Sequence, residues 1–335
     1  MEEVYKKLLD QYPFISYITY GGNEYIGIIQ NSDEVITTIY DYAVLKSLEE
    51  IELIRESALI VSKTLGVLAS EIKPGITSIK LDEIAETFIR DHNAEPGFLG
   101  LYDFPNTLCV SPNAQVVHGI PNDTPLEEGD IISIDCGVLK NGFYGDHAYT
   151  FPVGNIDSKV EKLLQITKAS LYEGIRSFKE GNRIGDLGYK IQKFCEDNGY
   201  GVVRELVGHG IGIVMHEGPE VPNYGRRGTG KKFLDGMVLA IEPMINQGTY
   251  RIKQLNDGWS ILTADGKASA HFEHNVALVD GKPELLSSFQ YIYSALGIVS
   301  DEEEGLRKNP LLICCLLYTS DAADDSLRVD LGGRR

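Results

Sequence analysis

The pattern of hydrophobic and polar positions between residues 44 and 305 predicts two pairs of helices with strands between and after them. Ser47 with Glu50 forms a capping box that begins the first helix, and Pro74-Gly75 ends it near Ile72. The other predicted helices span about residues 78–92, 158–181 and 186–198, with Ser158 (paired with Glu161) and Asp186 as the N-caps of the last two. The predicted strands are Ile131–Val138, Gly142–Phe151, Met237–Ile245 and His271–Val279.

A weak internal repeat relates two halves of this region. Five residues recur at an offset of 106 positions: Lys73, Gly75, Leu81, Phe88 and Asp91 return as Lys179, Gly181, Leu187, Phe194 and Asp197. Each predicted helix pair is followed by a His-Gly-Ile sequence, at His118 and His209, and then by a pair of acids on strands. The shared order of helix, helix, histidine loop and acidic hairpin predicts two related halves.

The segments on either side differ from this central region. Residues 1–43 predict a short helix and a three-stranded meander over Ile15–Tyr20, Glu24–Gln30 and Glu34–Tyr40. Because this small unit carries no histidine or cysteine, we interpret it as an accessory extension or a fusion artefact. Residues 306–335 follow no amphipathic period, and residues 314–335 resemble translated sequencing-adapter sequence, so we expect a disordered or artefactual tail.

Composition and charge narrow the class of protein. The 335 residues are 43% hydrophobic and 24% charged, which is typical of a globular protein of one or two domains. No apolar run is long enough to predict a membrane span, and the acidic first ten residues do not predict a signal peptide. The net charge of −18 disfavours broad binding to a nucleic-acid backbone. Five cysteines without a CxxC pair favour a reduced, cytoplasmic chain.

Two carboxylates are expected to meet on a hairpin. Asp135 ends the apolar sequence Ile-Ile-Ser-Ile-Asp, and Asp146 follows 11 residues later, after Lys140-Asn141-Gly142. A turn centred on Lys140-Asn141 places the two acids opposite each other, whereas a turn centred on Asn141-Gly142 makes them diagonal neighbours. Either way they share a face, because strand side chains alternate. In apolar surroundings they would repel unless a proton or cation lay between them, and the alternative is two exposed hairpin acids.

The second half holds a comparable set of polar residues. Glu242 follows the apolar run Val238–Ile241, and Glu273 lies 31 residues later, which is compatible with a longer hairpin that has Leu255–Gly258 in its connection. His209, between two glycines, adds a nitrogen donor. Taken singly, the glutamates could be solvated strand residues and His209 a loop residue. The four negative charges of the carboxylates would balance the charge of two divalent cations, and the histidine would add a nitrogen ligand. Such a site suits manganese, cobalt, iron or zinc.

Five motifs occur in order along residues 45–300: CVSPNAQVVHGIPN, DIISIDCGVLKNGFYGDHA, LVGHGIG, LAIEPM and HFEHNVAL. Together they resemble the type I methionine aminopeptidases, a metallopeptidase family with the pita-bread fold. The resemblance implies an α+β domain over residues 44–305, in which pseudo-two-fold duplicated helix pairs pack on a curved antiparallel sheet.

The resemblance implies five ligands to two divalent metal ions, which could be cobalt, manganese, iron, zinc or nickel. These ligands are Asp135, Asp146, His209, Glu242 and Glu273. By the resemblance, Asp146 and Glu273 bridge both ions, Asp135 binds one of them, and His209 with Glu242 binds the other.

The resemblance also implies catalytic roles for His118, His216 and Glu242. His118 would contact the substrate amide, His216 would stabilise the carbonyl oxygen as it gains charge, and Glu242 would carry a proton to the leaving amine. Taken alone, His216 would be an ordinary polar residue. The other four histidines match no catalytic position, and we expect them to be structural or exposed: His92, His147, His271 and His274.

Six residues are implied to contact the substrate: His118, His216, Cys109, Trp259, Phe104 and Met215. One branch of the family carries cysteine and tyrosines at Phe98, Leu101 and Phe104, and phenylalanine at Met215. These are apolar exchanges, so a pocket for a thioether side chain is still expected. Leu101 and Met215 could instead be core residues.

The function implied by the resemblance is removal of the initiator methionine from peptides and nascent chains. The chain is expected to be a cytoplasmic monomer that acts at the ribosome. We expect it to bind neither membranes nor nucleic acid. One alternative is an Xaa-Pro aminopeptidase or prolidase of the same fold, but these usually carry a full N-terminal domain. Another is a non-catalytic ribosome-associated binding protein, which the presence of all five ligands and both histidines disfavours. Type II methionine aminopeptidases carry a long helical insertion that is not found between His209 and Glu242.

Overall fold

The computed structural model describes residues 44–300, Glu303 and Leu306, together with the backbone of two strands near the N-terminus, β1 (Ile15–Tyr20) and β2 (Asn23–Ile28). These two strands form an antiparallel hairpin, so the first two strands of the predicted meander are present. The predicted short helix, the third predicted strand and residues 307–335 lie outside the described residues.

Five α-helices lie within the described residues: α1 (Leu48–Glu71), α2 (Ser78–Asp91), α3 (Ser158–Ser177), α4 (Ile184–Asp197) and α5 (Gln290–Leu296). The capping box of α1 is confirmed, because the Glu50 N–H donates to Ser47 Oγ and the Ser47 N–H donates to Glu50 Oε2. Among the described residues, none of the helices combines the length and the apolar character needed to cross a membrane.

The predicted caps of α3 and α4 are wrong by one to three residues. Helix α3 is capped by Asp157, whose carboxylate accepts from the Lys159 N–H (2.8 Å), because an acid directly before Ser158 offers the stronger acceptor. Helix α4 begins earlier than predicted, with Arg183 at the cap. There, Asp186 occupies the third helical position and reaches back to accept from the Arg183 N–H (2.9 Å).

The repeat of 106 positions corresponds to a structural repeat. Helices α2 and α4 are both 14 residues long, and their first and last residues are separated by this same offset. The glycines that precede them, Gly75 and Gly181, both have a positive φ, of 92° and 85°, which glycine adopts without strain. The internal identities therefore mark two copies of one turn-and-helix unit.

The remaining strands are β3 (Glu95–Pro96), β4 (Leu108–Pro112), β5 (Gln115–Val117), β6 (Ile131–Lys140), β7 (Phe143–Pro152), β8 (Gly201–Val202), β9 (Gly208–Gly210), β10 (Glu217–Val221), β11 (Val238–Ile241), β12 (Met244–Asn246), β13 (Ile252–Gln254), β14 (Ile261–Thr263), β15 (Ser269–His271), β16 (His274–Val279) and β17 (Lys282–Leu285). All their pairings are antiparallel. One main sheet has the order β3-β6-β4, with β7 also on β6, and the other has the order β10-β9-β11-β16-β17.

Two predicted strands are each divided in two. The run Met237–Ile245 breaks after β11, at Glu242-Pro243, because proline has no N–H to donate to a sheet. The run His271–Val279 breaks at Phe272-Glu273, between β15 and β16. Both breaks coincide with a predicted metal ligand, so each glutamate lies where the backbone leaves regular pairing.

Helix α1 packs directly on β6 and β7, beside the first pair of acids. Ser57 of this helix donates its hydroxyl to the Phe143 carbonyl (2.9 Å). A Cβ added to Gly145 would lie 2.3 Å from the Ala58 nitrogen, so this glycine allows the helix to approach the strand next to Asp146. The hydrophobic core between helices and sheets thus fixes the position of the acidic hairpin.

Leu306, the first residue of the predicted tail, contacts the core of the domain. Leu306 is buried, and its carbonyl accepts from the Leu285 N–H at the end of β17 (2.7 Å). The boundary of the domain near residue 305 stays a prediction.

Candidate active site

The hairpin of β6 and β7 brings the first two acids together. Lys140 pairs with Phe143, so the turn consists of Asn141 and Gly142, which both have a positive φ (52° and 81°). In this register Asp135 pairs with Ala148, and Asp146 pairs with Gly137. The acids are therefore diagonal neighbours on one face, which is the second of the two arrangements that the sequence left open.

The second half supplies one histidine and two glutamates from neighbouring strands. His209 lies on β9 and pairs with Ala240 of β11. Glu242 directly follows β11, and Glu273 directly precedes β16. Because Ile241 pairs with His274, the two glutamates leave the sheet at the same point. The expected long hairpin is confirmed, with Leu255–Gly258 in its connection.

Hydrogen bonds join the two halves at the acids themselves. The Glu273 N–H donates to the Ala148 carbonyl (3.0 Å), and the Asp146 N–H donates to Asn275 Oδ1 (2.7 Å). His147 Nδ1 donates to the Glu273 carbonyl. These contacts hold Asp146 and Glu273 side by side, although 127 positions of sequence separate them.

The five predicted ligands line one cavity. One ligand atom from each of Asp146, His209 and Glu273 lies within 4.8 Å of the other two. His209 Nε2 lies 3.8 Å from Asp146 Oδ2 and 3.6 Å from Glu242 Oε1. His209 Nδ1 donates to the Gly210 carbonyl (2.9 Å), which leaves the lone pair of Nε2 free to bind a metal.

The electrostatics of this cluster favour a cation. Burial raises the pKa of Asp135 to about 6 and that of Glu242 to about 7, and nearby histidines only partly offset this effect. Burial, and then the neighbouring carboxylates, raise the pKa values of Asp146 and Glu273 well above their usual range. Within the part of the chain that the structure describes, the buried atoms Asp135 Oδ1 and Glu273 Oε1 have no hydrogen-bond partner. These oxygen and nitrogen donors therefore fit divalent metal ions.

Two further histidines face the cavity. Burial, and then His271, lower the pKa of His118 to about 4. The protein around the ring of His216 lowers its pKa, and the nearby His209 and His118 lower it further. Both imidazoles are therefore neutral at pH 7, and each can donate a hydrogen bond from one ring nitrogen and accept one at the other. The ring centroid of His216 lies 4.5 Å from that of His209.

Apolar side chains form the rest of the cavity, which has a volume of about 260 Å³. They include three of the predicted substrate contacts: Cys109, Phe104 and Trp259. The Trp259 ring meets that of Phe104 edge to face at a centroid distance of 5.0 Å and lies 6.5 Å from the His118 ring. Phe98 and Leu101 also line the cavity, so Leu101 is more than a core residue.

Met215 is the predicted substrate contact that the structure does not bring to the cavity. The cavity-lining residues do not include it, and it is 2% exposed. Its methyl group lies beside Gly137 and Gly97, where a Cβ on either glycine would approach it within 3 Å. Met215 thus packs in the core next to residues that line the cavity, and its contact with the substrate stays a prediction.

The sequence reasoning missed two residues near the ligands. His271 was expected to be structural or exposed, but its Nε2 lies 3.5 Å from Glu242 Oε2 in the interior. Tyr102 is 65% exposed, has a φ of 51°, and stacks on His216 at a centroid distance of 5.9 Å. The available signal is their position in the sequence. His271 lies two residues before Glu273, and Tyr102 lies between the predicted pocket positions Leu101 and Phe104.

The other three histidines lie outside the cavity. His92 caps α2 and contacts the Phe88 carbonyl through Nδ1 (2.8 Å). His147 and His274 are buried and stack on each other, and His274 contacts Ser287 Oγ through Nδ1 (2.8 Å). His274 therefore points away from Glu273, as the alternation of strand side chains predicts.

Comparison with known proteins identifies the family. The profile of metallopeptidase family M24 matches residues 52–280. A methionine aminopeptidase of Clostridium perfringens is 53% identical over 244 residues, which cover 73% of this chain and 98% of that protein. The chain belongs to the methionine aminopeptidases of family M24. The resemblance to the type I branch is thereby confirmed.

Solved structures show the fold of the methionine aminopeptidase family. The methionine aminopeptidase of Rickettsia prowazekii superposes with a TM-score of 0.73 at 38% identity, covering 74% of this chain and all of that one. A prolidase from Pyrococcus furiosus superposes with a TM-score of 0.61 at 22% identity, covering 73% of this chain and 66% of that one. The second likeness shows the shared pita-bread architecture alone.

Proposed function

We propose that this chain is a metal-dependent aminopeptidase that releases the N-terminal methionine of peptides and nascent chains. One observation carries the proposal: four carboxylates and His209 meet at one end of an apolar cavity, beside two neutral histidines. The methionine aminopeptidase relatives support this reading of the site.

The residues that would hold the metal are Asp135, Asp146, His209, Glu242 and Glu273. Their number and their mixture of oxygen and nitrogen donors suit two divalent ions of the manganese-to-zinc series. When bound, such ions supply Lewis-acid polarisation of a carbonyl group and a water of lowered pKa. Four carboxylates carry the negative charge that balances two divalent cations.

Three side chains of the protein would position the scissile bond and transfer a proton to the leaving amine. A neutral His216 can donate a hydrogen bond to the oxygen of the scissile carbonyl, where negative charge develops. His118 also lines the cavity and can contact the amide nitrogen of the same bond. The pKa of Glu242, at about 7, lies near the working pH, so this carboxylate is suited to accept a proton and pass it to the leaving amine.

The apolar part of the cavity would bind the methionine side chain. Trp259, Phe104 and Cys109 offer an aromatic and polarizable surface, which favours contact with a thioether sulfur. A cavity of about 260 Å³ leaves limited room beyond the first residue. We therefore propose that small second residues are preferred, because the chain must turn out of the cavity there.

The proposed setting is the cytoplasm, where the chain would act as a monomer on nascent proteins near the ribosome. Five cysteines, of which the three described are buried and free, favour a reducing compartment. The net charge of −18 makes direct binding to ribosomal RNA unfavourable.

Two tripeptides test the proposal: Met-Ala-Ser and Ala-Pro-Ser, each incubated with the purified chain and added Mn²⁺ or Co²⁺. We expect free methionine from the first and no alanine from the second. Release of alanine would indicate a proline-specific peptidase, and no release with any metal would contradict an enzymatic function. Asp135→Ala should remove the activity while leaving the far-ultraviolet circular dichroism unchanged. Asp123→Ala, which removes an exposed acid elsewhere, is the matched control.

A further inference from the structure

His271 occupies a fixed position beside the ligands without belonging to the predicted ligand set. It ends β15 and pairs with Met244 of β12. The hydroxyl of Thr150 binds its backbone twice, because it donates to the His271 carbonyl (2.8 Å) and accepts from the His271 N–H (2.9 Å). Ser133 Oγ is hydrogen-bonded to the same hydroxyl (2.8 Å). The backbone of His271 is therefore anchored to the hairpin that carries the two aspartates.

The side chain of His271 lies among proposed metal ligands, because it forms an ion-pair contact with Glu242 and also interacts electrostatically with Asp135. The residue is 1% exposed. Neither of its ring nitrogens has a hydrogen-bond partner among the residues that the structure describes. Its Nε2 lies 3.5 Å from Glu242 Oε2. A buried ring N–H without a hydrogen-bond acceptor is energetically unfavourable. Glu242 Oε2 is close enough to Nε2 to become that acceptor after a small movement.

Glu242 lies between two imidazoles, one at each carboxylate oxygen. His209 Nε2 is 3.6 Å from Oε1, and His271 Nε2 is 3.5 Å from Oε2. His209 is a proposed ligand, whereas His271 comes from another strand and approaches the opposite oxygen. A hydrogen bond from His271 to Oε2 would therefore restrict the orientation of the Glu242 carboxylate. The other oxygen, Oε1, would stay directed toward His209.

We propose that His271 is a positioning residue that donates a hydrogen bond from Nε2–H to Glu242 Oε2 and thereby orients this carboxylate for metal binding and proton transfer. Carboxylates that bind metals are commonly held by such a hydrogen bond, and its removal weakens metal binding by about 10- to 100-fold. The inference rests on the proposed metallopeptidase function, because it assigns Glu242 a place among the metal ligands.

Two substitutions separate the hydrogen bond from the volume of the ring. In His271→Gln the amide nitrogen takes nearly the place of Nε2 and keeps a donor toward Glu242. In His271→Leu the side chain stays large but has no donor. We expect His271→Leu to lower Mn²⁺ affinity by about 10- to 100-fold, and His271→Gln to stay within about threefold of the unchanged protein. His92→Leu, outside the cavity, is the matched control and should bind Mn²⁺ normally.

The first measurement is calorimetric titration of metal-free protein with Mn²⁺, which requires no peptide. The second is steady-state kinetics on Met-Ala-Ser at saturating Mn²⁺, where we expect a lower kcat for His271→Leu, by about 10- to 100-fold, with little change in KM. Adding His271→Leu to Glu242→Ala should cause no further loss of Mn²⁺ affinity, because the effect passes through Glu242.

Three results would overturn the proposal. One is normal Mn²⁺ affinity and kcat in His271→Leu, which would make the ring a space-filling group. Another is a loss in His271→Gln as large as in His271→Leu, which would indicate direct metal binding by the imidazole. A further loss in the double variant would show that Glu242 is not the partner. If His271→Leu does not fold, His271→Asn replaces it, because its shorter amide cannot reach Glu242.

The outcome for His271 is separable from that for the proposed function. An unchanged protein that binds Mn²⁺ but releases no methionine contradicts the proposed function. An unchanged protein that is active, together with a fully active His271→Leu, contradicts the role of His271.

Discussion

Replacing Glu242 by glutamine should stabilise the metal-free protein at high pH. The side chain of Glu242 is 14% exposed, and burial raises the pKa of its carboxyl group from an ordinary 4.5 to about 7. The folded chain therefore binds this proton more tightly than the unfolded chain does. The resulting contribution to stability is complete below about pH 4.5 and is lost as the pH rises through about 7. Glutamine has the same shape and no charge to bury.

The magnitude follows from the pKa difference. At about 1.4 kcal/mol for each pH unit, ionisation of Glu242 inside the folded chain costs about 3 kcal/mol at pH 8. This is a substantial part of a typical unfolding free energy of about 5–15 kcal/mol. With urea m-values of about 1–3 kcal/mol per molar, the midpoint of unfolding should rise by about 1–3 M in Glu242→Gln.

The assay is urea unfolding in EDTA, followed by circular dichroism at pH 5 and pH 8. We expect most of the stabilisation at pH 8 and little of it at pH 5, since Glu242 is protonated in the folded chain at the lower pH. Glu220→Gln, which removes an exposed acid on β10, should change neither midpoint. Equal stability of Glu242→Gln and the unchanged chain at pH 8 would refute the reasoning.

Three further substitutions test other parts of the site. Asp146→Asn should lower Mn²⁺ affinity by more than about 100-fold in calorimetry, because it neutralises a ligand rather than a supporting group; binding within tenfold would contradict the assignment. Trp259→Ala should raise KM for Met-Ala-Ser by about tenfold or more with a smaller effect on kcat, since it opens the apolar wall; an unchanged KM would place the methionine elsewhere. Lys46→Met should cost about 3 kcal/mol in urea unfolding, because it leaves the buried Glu217 carboxylate unpaired. The double variant Lys46→Met/Glu217→Gln should recover part of that loss, and no recovery would show that Lys46 acts by packing alone.

The parts of the fold that were predictable are those set by short stretches of sequence. The capping box at Ser47 and Glu50 determines where α1 begins, and the sequence around Lys140-Asn141-Gly142 predicts the turn between β6 and β7 while leaving two registers open. Both registers place Asp135 and Asp146 on one face without reference to any other part of the chain. The repeat of Gly75 at Gly181 likewise marks matching turns before α2 and α4.

The parts that sequence reasoning missed depend on contacts between distant segments. His271 reaches Glu242 because β15 pairs with β12, and the methyl group of Met215 packs beside Gly97 and Gly137, which are distant from it in sequence. The cap of α3 lies at Asp157 because two adjacent residues could each cap the helix, and local pattern does not choose between them. In each case the deciding partner lies far away in sequence or competes from the next position.

Neither half of the described domain contains all five proposed metal ligands, so the contact between the halves determines how these ligands are arranged. Asp135 and Asp146 belong to the first half, whereas His209, Glu242 and Glu273 belong to the second. The two sets meet because the Glu273 N–H binds the Ala148 carbonyl and the Asp146 N–H binds Asn275 Oδ1. These N–H groups belong to two of the proposed ligands. Residues of both halves would therefore hold the metal ions, and ions present at about 100 times their dissociation constant would add about 3 kcal/mol to the free energy of unfolding.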